Sequence, residues 1–138
     1  MYILHFLTPK ANTSFLEYDV TIRQALEKFD YHKYSVVPLI DKEGRYISTL
    51  SEGDLLRFIK NDNNFDIAVA ENKSIKEINP YRPYKAISIN SDIEEVIKLS
   101  LNQNFIPIID DRGTYIGIIK RKDIIEYMMQ NMNKVTKE

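Results

Sequence analysis

Residues 36–56 read VVPLIDKEGRYISTLSEGDLL, and residues 105–125 read FIPIIDDRGTYIGIIKRKDII. Laid in register, Pro38, Gly44, Ile47 and Asp54 fall on Pro107, Gly113, Ile116 and Asp123, each 107 − 38 = 69 residues on. Upstream the register continues at 80 − 9 = 71: Pro9 meets Pro80, Tyr18 meets Ile89, Ile22 meets Ile93 and Leu26 meets Ile97. A constant register broken by a single length change marks an internal duplication, and that decides the architecture before any single element does.

Each copy reads alike. A short extended piece comes first, at residues 15–18 and 86–89. An amphipathic helix follows, with Ile22, Ala25, Leu26 and Phe29 at helical spacing in one copy and Ile93, Val96, Ile97 and Leu101 in the other. Thr21-x-x-Gln24 and Ser91-x-x-Glu94 supply capping boxes at the two helix starts. Apolar, β-branched strands at 35–40 and 105–109 then reach turns ending in Gly44 and Gly113, and return antiparallel at 46–50 and 115–119. A second helix closes each copy, carrying Leu55, Leu56 and Ile59, and Ile124, Ile125 and Met128. The expected fold is α/β (α+β): two β-α-β-β-α repeats packed sheet to sheet with pseudo-twofold symmetry. A half-length copy leaves one apolar face uncovered, so the space between copies is the expected ligand cleft.

The expected organisation is repeat 1 over residues 1–65, a polar connector over 66–73, repeat 2 over 74–131 and a frayed tail over 132–138. Ser74-x-x-Glu77 predicts a short capped turn before Pro80. Pro38 and Pro107 each remove a ladder donor, which places them at strand edges or ends.

Composition narrows the function. The chain has 138 residues, 43% hydrophobic and 28% charged, with net charge −1, no cysteine and two histidines. Disulfides, thiolate nucleophiles and cysteine-ligated metals are excluded. Near-neutral charge argues against nucleic acid as the partner, and the short apolar runs argue against a membrane span. A cytoplasmic protein is expected. His32 reads as a surface residue and His5 as a packed one. Tyr81, Arg82, Tyr84 and Lys85 line a cleft mouth or form a solvated connector, the latter preferred. No nucleophile-base pair, metal spacing or Gly-rich phosphate loop is present, so no enzyme is expected. From the residues alone, Ser51-x-x-Asp54 is a capping box, and Asp123 is favoured in a first helical turn by the helix dipole.

The paired segments Val36-Val37-Pro38-Leu39-Ile40 with Gly44-x-x-Ile47 to Ser51-x-x-Asp54, and Phe105-Ile106-Pro107-Ile108-Ile109 with Gly113-x-x-Ile116 to Asp123, resemble the cystathionine β-synthase (CBS) domain. Two such copies form a Bateman module, here expected to stand alone. The resemblance implies a regulatory sensor that binds an adenine-containing nucleotide of the AMP, ADP or ATP class and signals to a regulated protein of unknown identity. It implies no cofactor beyond that ligand, and commonly a homodimer through helix faces such as Leu55, Leu56, Ile59, Ile124, Ile125, Met128 and Met129. Cyclic di-AMP or S-adenosylmethionine as ligand, or a ligand-free interaction module with side chains filling its clefts, are the alternatives. The implied ribose and phosphate residues are Ser51 and Asp54 in copy one. In copy two they are Asp123 with Lys120, Arg121 and Lys122, where Lys120 departs from the family's Ser/Thr. The implied adenine residues are Leu16, Ser35 and Val37, and Ala86, Ile87, Phe105 and Ile106. Phe105 stands where the family usually has a small residue, and it either stacks on a base or fills the cavity. The three cations make copy two the expected anion site.

Overall fold

A computed structural model describes residues 2–33 and 35–137, with side chains to residue 134. The strands are β1 (Leu7–Pro9), β2 (Leu16–Glu17), β3 (Val36–Ile40), β4 (Tyr46–Ser51), β5 (Ile87–Ser88), β6 (Phe105–Ile109) and β7 (Tyr115–Lys120). The helices are α1 (Ile22–His32), α2 (Glu52–Arg57), α3 (Ile67–Ala70), α4 (Ile93–Ser100) and α5 (Arg121–Lys137). The expected order is present twice, as β2-α1-β3-β4-α2 and β5-α4-β6-β7-α5, in an α+β fold with two sheets.

The hairpins repeat down to their irregularities. Asp41 Oδ1 accepts from the Glu43 and Arg45 N–H groups at 2.9 Å each, and Asp110 Oδ1 from Arg112 and Thr114 at 2.9 Å each. These side-chain-closed turns place Gly44 and Gly113 at φ 84° and 82°. Both ladders then shift register at the same point, between Leu39 and Ile40 and between Ile108 and Ile109. Pro38 and Pro107 lie in central strands, not at an edge. Each precedes by one residue the point where the two-residue neighbour begins, since β2 pairs from Leu39 and β5 from Ile108. At these prolines the third strand has not yet started.

The chain divides into two compact units, Ser14–Pro83, and Met1–Thr13 with Tyr84–Glu138. The N-terminal residues thus leave the copy they precede. β1 pairs antiparallel with β7, Thr8 opposite Ile118 and Pro9 opposite Gly117, which gives a four-stranded sheet of order β1-β7-β6-β5. Ile3 is fully buried in that unit's core with Ile106, Ile108, Ile119 and Ile124. Gly117 admits the added strand: at φ 152° its backbone lies so close to β1 that a Cβ there would press into the Thr8 carbonyl. Tyr115 ties down the end of the segment through its hydroxyl, 2.8 Å from Thr13 Oγ1.

The unit Ser14–Pro83 has a three-stranded sheet of order β2-β3-β4 over a core that includes Leu16, Phe29, Val37, Leu50 and Phe58. Its supposed connector is part of the structure. The free N–H groups at the start of α1 donate to it, Ile22 to Lys73 O at 2.8 Å and Arg23 to Glu71 O at 3.0 Å, and α3 forms within it under an Asp66 cap. Ser74 caps the predicted short turn, which is a 3₁₀ turn over Ile75–Glu77.

The capping box at Thr21 and Gln24 is formed. The one expected at Ser91 is not: α4 is preceded by Asp92, with no side-chain cap bond, and the Ser91 N–H turns back to Ser88 O at 3.0 Å. The offset of 71 sets Thr21 on Asp92, so the repeat register locates the cap better than the local motif does. Residues 132–137, expected to fray, are the last turns of α5.

Gly117→Ala is expected to lower stability by about 3 kcal/mol by displacing β1, whereas Gly113→Ala, with nothing within 4 Å of its Cβ, should cost only the left-handed backbone penalty of about 1 kcal/mol. Urea unfolding of the two variants checks this, and equal losses would rule out the close approach as the cause.

Candidate functional site

In the unit Ser14–Pro83, β4 runs into α2 at Ser51. The Ser51 hydroxyl accepts from the Asp54 N–H at 3.1 Å, and Asp54 Oδ2 accepts from the Ser51 N–H at 2.9 Å, a complete capping box. The other carboxylate oxygen is also engaged. Asp54 Oδ1 accepts from Arg57 Nη2 at 2.8 Å and from the Tyr81 N–H at 3.0 Å. The Arg57 guanidinium in turn lies 5.2 Å from the centre of the Tyr81 ring. Asp54 is buried, its side chain only 5% exposed. Burial pushes its pKa up, but the N–H groups of Tyr81 and Ser51, the Ser51 side chain and Arg57 outweigh this and hold the carboxyl below its usual range.

In the other unit the corresponding helix start is open. Asp123 lies in the first turn of α5 and lines a pocket of about 380 Å³ with His5, Thr8, Glu126, Tyr127 and Gln130. No hydrogen bond to the Asp123 carboxylate forms among the described residues. Thr8 comes from β1, so the pairing that Gly117 permits also builds one wall of the pocket. Phe6 meets the Tyr127 ring edge-on, with centroids 5.2 Å apart. The pocket presents carboxylates, an imidazole and an amide, groups suited to hydroxyl-bearing ligands.

The remaining sequence-predicted residues scatter. Leu16 and Val37 belong to one core, Ile87 and Ile106 to the other. Ser35 is exposed, and its carbonyl accepts from the Glu52 N–H at 3.0 Å; Ala86 is half-buried. Phe105 is half-buried and packs edge-on against Tyr84, with ring centroids 4.9 Å apart. Arg121 departs from its expected use: its Nε donates to Ser100 O at 2.7 Å and Gln103 O at 3.1 Å, closing the end of α4. Lys120 and Lys122 are exposed. Tyr81, Arg82 and Lys85 are exposed, as a solvated connector requires, although the Tyr81 N–H serves Asp54 and half-buried Tyr84 packs on Phe105. His32 is on the surface as expected, but His5 is exposed, not packed. Arg57, Glu126 and Thr8 escaped the sequence reading, although the 69-residue offset already sets Arg57 on Glu126.

Asp54→Asn is expected to cost about 1–3 kcal/mol at neutral pH, because Arg57 and two N–H donors lose a charged acceptor. A carboxyl whose pKa is lowered by folding contributes stability above its unfolded value of about 3.9 and loses it as pH falls through the folded value. Urea unfolding should therefore show the gap between wild type and variant shrinking between pH 7 and pH 3; a gap equal at both would exclude the charge as its source.

The CBS domain family matches at residues 12–61 and 75–130, which together cover most of the chain. A curated relative, the A-adding tRNA nucleotidyltransferase of Aquifex aeolicus (strain VF5), is 25% identical over 120 residues, which are 87% of this chain but only 14% of that protein. The fold is shared with CbpB in complex with c-di-AMP (TM-score 0.86, 20% identity, 99% of this chain and 90% of that one). It is shared too with CBSX2 in complex with AMP (TM-score 0.73, 22% identity, 95% and 98%). The duplicated hairpin-helix units and these matches agree: the chain belongs to the CBS domain family and carries two copies of the domain.

Proposed function

We propose that this chain is a non-catalytic, cytoplasmic sensor that binds an adenine-containing nucleotide at Asp123 and passes ligand state to a regulated protein. The open Asp123 pocket carries the reading. A carboxylate with unused acceptor capacity suits a ribose diol, and the aromatic ring of Tyr127, which lines the same pocket, suits packing on a base. Glu126 repels phosphate from the pocket interior, so the phosphates lie toward exposed Lys120 and Lys122 at the helix start, where the dipole also favours anions. The AMP and c-di-AMP named for the two structural relatives are ligands of this class. The ligand-free alternative draws on the Arg57–Asp54 and Tyr84–Phe105 contacts, in which side chains engage one another.

A thermal-shift panel of AMP, ADP, ATP, cyclic di-AMP and S-adenosylmethionine tests the sensor reading. A ligand at 100 times its Kd should stabilise the protein by about 2.7 kcal/mol. Asp123→Ala is expected to weaken binding at least about tenfold, about 1.4 kcal/mol. No shift at millimolar concentration with any of the five leaves the ligand-free reading in its place.

We further propose a homodimer. Of the apolar residues expected at its surface, Leu55 and Ile124 are buried in their own units, but Leu56, Ile125, Met128 and Met129 are exposed, and Met132 extends the α5 stripe by one turn. The positions 125, 128, 129 and 132 share one helix face. Light scattering should give twice the mass of one chain, and Met128→Lys with Met129→Lys should return the mass of one; a single-chain mass for the wild type discards this surface.

A further inference from the structure

We propose that Arg57 is a built-in occupant of the Asp54 site, so that each chain takes one nucleotide, at Asp123, although it carries two copies of the domain. The inference rests on the reading of Asp123 as a ligand-binding carboxylate. Three donors already converge on Asp54, from Ser51, Arg57 and Tyr81, and leave no open pair of acceptor positions for a diol. The guanidinium is fixed on several sides. It is 2.8 Å from Asp54 Oδ1 and faces the Tyr81 ring, and it crosses Gly53, where a Cβ would stand 3.1 Å from Nη1 and 3.5 Å from Nη2.

The duplication supplies the control within the same chain. At the 69-residue offset, Gly53 becomes Lys122 and Arg57 becomes Glu126, while Asp54 stays Asp123. The second copy has therefore lost the guanidinium, and a carboxylate stands where the cation was. Glu126 cannot pair with Asp123, and the pocket around them stays open. A charge exchange at one helical position, three residues after the shared aspartate, separates a self-filled site from a receptive one.

Equilibrium dialysis with AMP tests this on the full chain, using wild type, Arg57→Ala and Glu126→Arg, each checked for folding by circular dichroism. One AMP per chain is expected for wild type, two for Arg57→Ala, and at least tenfold weaker binding for Glu126→Arg, whose new guanidinium would cover Asp123. Two per wild-type chain, one per chain for wild type and Arg57→Ala alike, or undiminished binding by Glu126→Arg each overturns the occupant role while leaving the sensor reading intact. Binding by Arg57→Ala alone supports the occupant role and removes Asp123 as the site; binding by none of the three overturns both. If Arg57→Ala fails to fold, Glu126→Arg decides.

Discussion

The antiparallel ladder of β3 with β4, repeated in β6 with β7, is the constraint on which everything else hangs. An aspartate turn closes it, a register shift at a fixed point twists it, and the return strand ends where a helix begins. That geometry delivers Asp54 and Asp123 to the same place, the first turn of a helix emerging from a strand end. Short parallel strands β2 and β5 and the helices α1 and α4 then cover the ladders with Leu, Ile and Val side chains.

From this shared frame the copies diverge by few substitutions. Ser48 in β4 corresponds to Gly117 in β7, and only the glycine lets another backbone come close enough for β1 to pair. Gly53 and Arg57 correspond to Lys122 and Glu126, and only the first pair supplies a guanidinium to seal the aspartate. Backbone duplication thus fixes where a carboxylate stands, and the Arg57 side chain with the backbone N–H groups of Ser51 and Tyr81 decides that the oxygens of Asp54 are used internally.

The duplication, the element order, the turns and the Thr21 cap are legible in the sequence because each depends on short-range periodicity or spacing. Ser91 misleads because a local capping pattern competes with the turn that precedes α4, and the three-residue extended segment around Thr8 has too few residues to announce its partner. Arg121 is read as a phosphate cation from its neighbours Lys120 and Lys122, but its length lets it reach the carbonyls of Ser100 and Gln103. His5 follows apolar residues and so reads as packed, yet β1 sets it at the pocket rim.

The sequence by itself determined that there are two copies of one unit, which residues form their ladders, and that an aspartate begins the last helix of each, since those follow from local hydrogen bonding and apolar period. Only the tertiary structure decided which sheet receives the N-terminal strand and which aspartate is open. Both depend on atoms brought together from distant positions, Thr8 against Gly117 and Tyr81 against Asp54, and no spacing rule along the chain encodes a contact made across it.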